Sequence, residues 1–170
     1  MTPKAEMNPD KAADDGAGEL VLSFTDHDQI SKVKARYWRL LDTKKWDEWG
    51  EVFTPDAVMD MPEGDLLLEG REAIVTRVRE LLDEAITVHH GHMGEIEMVA
   101  ADEATAIWAM EDYLLWPARD SIRFPRSTRG YGHYYDRYSR ADGQWRIART
   151  YLSRLHVETV MQYRNVAEDC

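Results

Sequence analysis

The sequence predicts an α+β fold: a cone-shaped α+β barrel in which one strongly curved mixed or antiparallel sheet is wrapped by three N-terminal helices. Three observations predict it. Helical periodicity dominates the first half of the chain and stops near residue 84. From residue 86 onward, long stretches alternate in strand fashion. The last two of these are joined by Ala141-Asp142-Gly143, a glycine-containing turn of the kind that closes a hairpin. Helices first and long antiparallel strands afterwards form an α+β layer pattern. There is no alternating βαβ pattern and no G-x-G-x-x-G, which argues against a dinucleotide fold.

Residues 1–19 are small, polar and acidic and read as a flexible tail. One domain is expected over 20–160, with a C-terminal tail over 161–170. Asp26 and Gln29 stand at capping-box spacing. Ile30, Val33, Tyr37, Leu40 and Leu41 then recur at helical intervals through 27–42, with Lys32, Lys34, Arg36 and Arg39 mostly on the other side. Trp46, Trp49 and Phe53 share the stripe of a short second helix that Pro55 ends. Val58–Met61 and Leu66–Glu69 read as short strands around the turn Pro62-Glu63-Gly64-Asp65. A third helix over 71–84 buries Ile74, Val75, Val78, Leu81 and Leu82. Strands are expected at about 86–99, 104–116, 130–140 and 144–158. A loop with Pro117, Pro125, Arg119, Arg123, Arg126 and Arg129 lies between the second and third of these.

At 170 residues the chain can bury a real core or pocket. Its net charge of −11 disfavours nucleic acid as a partner. Residues 1–28 carry −5 of that charge, so the acidity says little about the functional surface. The one cysteine, Cys170, allows no intrachain disulfide and no thiolate cluster. No run of eighteen apolar residues is present, and no basic start precedes an apolar core at the N-terminus. A cytoplasmic protein without membrane contact is expected.

His89-His90-Gly91-His92 is the densest polar feature. His90 and His92 share strand parity and could hold a metal, but no second ligand motif accompanies them. The alternatives are histidines that merely pack or face solvent, and one that acts as a general base, because imidazole titrates near neutrality. The base reading is preferred, with no metal and no cofactor. A catalytic histidine needs an orienting acceptor. Asp42 ends the first helix, where a negative charge opposes the macrodipole and calls for a partner. Tyr37 lies five residues earlier, roughly 140° around an ideal helix, so the two meet only if Asp42 departs from the regular helix. Asp112 shares a strand face with Trp108 and Met110, where a carboxylate needs a counter-charge. Arg154, on one face with Thr150 and Leu152, can supply it.

Across residues 27–158 the chain resembles the SnoaL-like branch of the nuclear transport factor 2-like superfamily. Within it the chain looks more like the branch holding bile-acid dehydratases and, more distantly, scytalone dehydratase. The marks are Tyr37-Trp38-Arg39-Leu40-Leu41-Asp42 followed by Trp46; His89-His90-Gly91-His92 followed by Glu95-Ile96; Glu111-Asp112; Gly130-Tyr131-Gly132-His133-Tyr134; and Gly143-Gln144-Trp145-Arg146-Ile147 leading to Arg154. Gly94 stands where the family often has proline.

The resemblance implies a pocket with catalytic residues Tyr37, Asp42, His89, Asp112 and Arg154. Trp38, His92, Trp108, Met110, Tyr134 and Leu152 are expected to contact substrate. The implied activity is that of a cofactor-independent lyase, a dehydratase acting on an apolar ring substrate, steroid-like or aromatic. The alternatives are a carbon–carbon lyase releasing formaldehyde from an aromatic alcohol and a noncatalytic small-molecule-binding domain. Ile107, Ala109, Tyr113 and Leu115 lie opposite the pocket parity, so a homodimer or homotrimer packed through the sheet is expected.

Overall fold

The computed structural model describes residues 24–117 and 125–161. The tail expected over 1–19 lies outside these residues, as does the tail expected over 161–170 apart from Met161. The elements are α1 (Phe24–Asp42), α2 (Trp46–Gly50), β1 (Phe53–Met61), a single 3-10 turn (Pro62–Gly64), β2 (Leu66–Glu69), α3 (Arg71–Leu82), β3 (Ile86–Ala100), β4 (Glu103–Leu115), β5 (Pro125–Ala141) and β6 (Gln144–Met161). Among the described residues the strands form one sheet in the order β2-β1-β6-β5-β4-β3. Only the β1–β6 pair is parallel, so the sheet is mixed.

This is the expected α+β cone, with one correction. The sheet does not close into a barrel, because β2 and β3 remain as its two edges. Closure would require those edges to pair.

Several element limits also differ from expectation. The second helix stops at Gly50, and Pro55 lies inside β1 instead of ending that helix. Pro55 has no N–H for a ladder, and the β1–β6 register shifts between Phe53 and Val58. β5 begins at Pro125, so Arg126 and Arg129 stand on a strand, while Arg119 and Arg123 of the expected loop lie outside the described residues. The β5–β6 turn is as expected: Asp142 (φ 55°) and Gly143 (φ 73°) are both left-handed, the geometry of a two-residue hairpin that continues the sheet twist.

Asp26 is not a helix cap. It sits inside α1, where its Oδ1 accepts from Arg140 Nη1 at 2.8 Å and Trp145 Nε1 at 3.1 Å. The first helix is thereby tied to the β5–β6 hairpin.

The core fills the space between α1 and the concave face of the sheet. Tyr37 packs on Trp49, Phe53 and Tyr134 with ring centroids 5.5–5.9 Å apart. Trp38 meets Trp108 edge to face. Gly91 on β3 makes room for this, since a Cβ there would overlap the Trp38 ring. Ile107, Ala109, Tyr113 and Leu115 alternate with the buried positions of β4 and are half-buried on the opposite face of the sheet.

Lys34 corrects the expected polar side of α1: it is fully buried. It precedes Tyr37 by three residues and so shares its face. Its Nζ lies 2.8 Å from Asp136 Oδ2, with both side chains wholly excluded from solvent. It also sits 3.7 Å from the Tyr134 ring centroid and 4.5 Å from that of Tyr37. The Tyr138 hydroxyl donates to the same Asp136 oxygen at 2.8 Å. Burial lowers the Lys34 pKa, against the charge and hydrogen bond of Asp136.

Removing one member of such a pair leaves a buried charge uncompensated, a loss of about 3–5 kcal/mol, whereas an apolar replacement of both can be near neutral. Lys34→Met should therefore be strongly destabilised in urea unfolding. Adding Asp136→Leu to it should restore most of the loss.

Candidate active site

The end of α1 sets the first half of the site. Lys45 N–H donates to Leu40 O at 2.9 Å and Lys44 N–H to Leu41 O at 3.1 Å, the paired bonds of a Schellman ending. Asp42, the last helical residue, faces β3. Its Oδ1 lies 2.6 Å from His89 Nδ1 and accepts from Thr87 Oγ1 at 2.9 Å. Its Oδ2 accepts from the backbone N–H of His89 at 2.8 Å. Helix end and strand are thus joined through one carboxylate.

The second half spans three strands. Arg154 on β6 reaches past β5 to Asp112 on β4. Nη1 meets Oδ1 at 2.9 Å and Nη2 meets Oδ2 at 2.5 Å, a bidentate pair. Gly130 on β5 permits this crossing, because a Cβ there would overlap both the guanidinium and the carboxylate. Glu63, in the turn between β1 and β2, takes the remaining edge. Its Oε2 lies 3.3 Å from Arg154 Nε, and its Oε1 accepts from the Arg154 backbone N–H at 3.1 Å. Burial opposes the Arg154 charge, but the hydrogen bonds and charge of Asp112 outweigh it, so the pKa is raised.

Between the two halves lies a cavity of about 540 Å³. His89, Asp112, Arg154, Tyr37 and Tyr134 line it, with a wall that includes Leu41, Met59, Leu114 and Leu152. An apolar chamber with a few convergent polar groups is the usual form of a small-molecule site. Burial is the first cause that raises the pKa of both phenols. For Tyr37 the neighbouring Tyr134 and Asp136 add to it. For Tyr134 the charge of Asp112 adds, while Arg154 and Tyr37 act in the opposite sense. Among the described residues, no group of three or more His, Cys, Asp or Glu side chains is placed to hold a metal ion, and no helix is long and apolar enough to cross a membrane.

Of the eleven expected site residues, Tyr37, His89, Asp112, Tyr134, Leu152 and Arg154 line the cavity, and Asp42 stands behind His89. The other four lie elsewhere. Trp38, Trp108 and Met110 are buried in the core away from the lining. Trp108 and Met110 share the parity of Asp112 but lie earlier on β4, on the side where Trp38 packs. His92 is exposed, at the register shift between Gly91 and Gly94 that breaks the alternation assumed for β3.

Glu63, Thr87 and Lys44 were not expected at the site. Thr87 shares strand parity with His89, which was a readable signal. Glu63 and Lys44 sit in turns, where no periodicity points inward.

The SnoaL-like domain family matches residues 23–151. The chain belongs to that family. A "Probable cyclase FGR4" of Gibberella zeae is 23% identical over 137 residues, covering 75% of this chain and 89% of the relative. A "Putative Scytalone Dehydratase" from Novosphingobium aromaticivorans superposes with a TM-score of 0.69 at 20% identity, over 85% of this chain and 96% of that one. A hexachlorocyclohexane dehydrochlorinase (LinA, type 2) gives 0.69 at 16% identity, over 86% and 96%. These structural likenesses show a shared fold, in agreement with the family match.

The phenols give a prediction of pH dependence. Tyr37, Tyr134 and Tyr138 are wholly buried, with pKa values raised above the ordinary 10, burial being the first cause in each case. A raised phenol keeps its proton when folded and loses it when unfolded, so its contribution is complete below pH 10 and falls as pH climbs above it. Urea midpoints measured from pH 8 to 11.5 should fall steeply beyond pH 10. Tyr138→Phe should soften that fall.

Proposed function

We propose that this protein is a cofactor-independent lyase of the general acid–base type, a dehydratase that removes water from an uncharged apolar ring substrate, steroid-like or aromatic. The observation that carries this reading is the 2.6 Å contact of Asp42 with His89 on the wall of an apolar cavity. Two structural neighbours, described as a "Putative Scytalone Dehydratase" and a dehydrochlorinase, bear the names of elimination reactions.

In the proposed reaction, His89 Nε2 takes a proton from a carbon next to the one bearing the hydroxyl. The C–H electron pair becomes the new double bond. The C–O bond breaks, and the hydroxyl leaves as water with the proton returned by the imidazolium. The protein ends unchanged. Asp42 stabilises the imidazolium and orients the ring. Tyr37, kept protonated by burial, donates a hydrogen bond to the substrate oxygen. Arg154 gives two of its five N–H donors to Asp112 and sets Nε against Glu63 at 3.3 Å, and it turns the remaining ones on developing negative charge.

A mass-spectrometric screen of hydroxysteroids and aromatic alcohols should find a product lighter by one water. On that substrate, His89→Ala and Asp42→Asn should each lower kcat by about 10²–10⁴-fold while far-UV circular dichroism stays unchanged. The double variant should be little worse than either single one, because the two residues act as a unit. Near-normal turnover by His89→Ala would refute the mechanism, and release of formaldehyde would replace dehydration with carbon–carbon cleavage.

A further inference from the structure

The hydrogen bonds around Asp42 can be assigned a direction, and the direction reaches the catalytic ring. The Lys44 ammonium only donates. At its 2.8 Å contact, therefore, Thr87 Oγ1 accepts. Thr87 Oγ1 in turn donates its single proton to Asp42 Oδ1 at 2.9 Å. The backbone N–H of His89 donates to Oδ2. An ionised Asp42 only accepts, so the remaining contact, His89 Nδ1 at 2.6 Å, is donated by the ring. The proton then sits on Nδ1, and in the neutral ring Nε2 keeps its lone pair.

A second observation concerns the Lys44 backbone. Lys44 has φ 58°, the left-handed position of the Schellman ending that glycine ordinarily occupies. A side chain there carries a conformational cost, and such positions persist where function needs them. From it the ammonium returns to Thr87, passing 5.7 Å from the Trp46 ring. Thr87 itself is buried.

We propose that Lys44 and Thr87 are positioning residues: acting through Asp42, they hold His89 in its Nδ1–H tautomer, with Nε2 free to take the substrate proton. The inference rests on the reading of His89 as the base, and it adds the two residues that fix the base's protonation pattern. Neither touches substrate, since neither lines the cavity. Without the Thr87 hydroxyl, Asp42 Oδ1 loses the donor that fixes its direction; the carboxylate and the ring can then turn apart, and only a ring that has left Asp42 is free to carry its proton on Nε2.

The test is 15N NMR of imidazole-labelled protein without substrate, with His89 assigned by difference against His89→Ala. Wild type and Thr87→Ser should show His89 as a single Nδ1–H tautomer with a strongly downfield, slowly exchanging ring proton. Thr87→Val and Lys44→Gly should show mixed tautomers and lose that proton signal. Lys44→Gly is the decisive variant. Glycine suits φ 58°, so it should melt at or above the wild-type temperature, and a lost tautomer cannot then be blamed on a damaged fold. Turnover, once a substrate is in hand, should fall on the order of 10-fold in both variants. An unchanged His89 tautomer in folded Thr87→Val and Lys44→Gly would overturn the proposal. The tautomer is read without turnover, so the result is independent of whether the elimination reaction is found.

Discussion

Everything in this molecule depends on where α1 lies, and three carboxylate contacts hold it along its length. At its start, Asp26 takes Arg140 and Trp145 from the β5–β6 hairpin. In its middle, Lys34 meets Asp136 of β5 in a fully dry pair. At its end, Asp42 takes Thr87 and His89 of β3. The contacts are not equivalent. The Asp26 and Asp42 contacts keep some exposure to solvent, whereas the Lys34–Asp136 pair has none, and a buried charge without its partner is expensive. The Lys34–Asp136 pair therefore acts as a constraint on register: sliding the helix by one turn would separate the charges inside an aromatic cage. With the helix fixed, Asp42 reaches His89 as a geometric consequence.

The opposite wall obeys a similar constraint. Asp112 and Arg154 come from strands that are not neighbours, and the strand between them offers Gly130 at the crossing. A side chain there would separate the pair. Gly91 does the equivalent for Trp38, letting α1 approach β3 closely enough for the Asp42 contact. The two glycines serve contacts between other residues, and each lies next to half of the site.

The fold was legible because its periods are clean. β4 alternates buried and half-buried residues over nearly its whole length, and the third helix keeps Ile74 and Val78 inward as the spacing required. The pairing of Asp42 with His89 was legible because a carboxylate at a helix C-terminus opposes the dipole and invites a donor. Periodicity failed where parity is broken or depth matters. His92 sits at a β3 register shift, and Trp108 shares the parity of Asp112 without reaching the cavity. Lys34 was misplaced because its residue type suggested solvent, while its spacing from Tyr37 placed it inside. Glu63 and Lys44 belong to turns, whose side-chain directions are set by two or three dihedral angles and not by a repeat. That the sheet stays open could not be read from strand lengths alone, since closure depends on how the two edge strands meet.

The charges around the cavity bear on what it can hold. Both arginines of its lining already have carboxylate partners: Arg154 has Asp112 and Glu63, and Arg77 at the rim has Glu80. An anionic ligand would have to displace a carboxylate from one of them or lie against Asp112 and Glu63 uncompensated. Both alternatives are unfavourable in a low-dielectric chamber. A neutral ligand meets no such penalty and gains from the apolar wall. The same arithmetic bears on the proposed chemistry. With Asp42 behind His89 and with Asp112 and Glu63 around Arg154, the site is richer in negative than in positive fixed charge. Such a field does little to stabilise a fully formed carbanion, so proton removal and departure of the hydroxyl are best served by happening together, with the charge that leaves carbon passing directly to oxygen beside Tyr37 and the free N–H groups of Arg154.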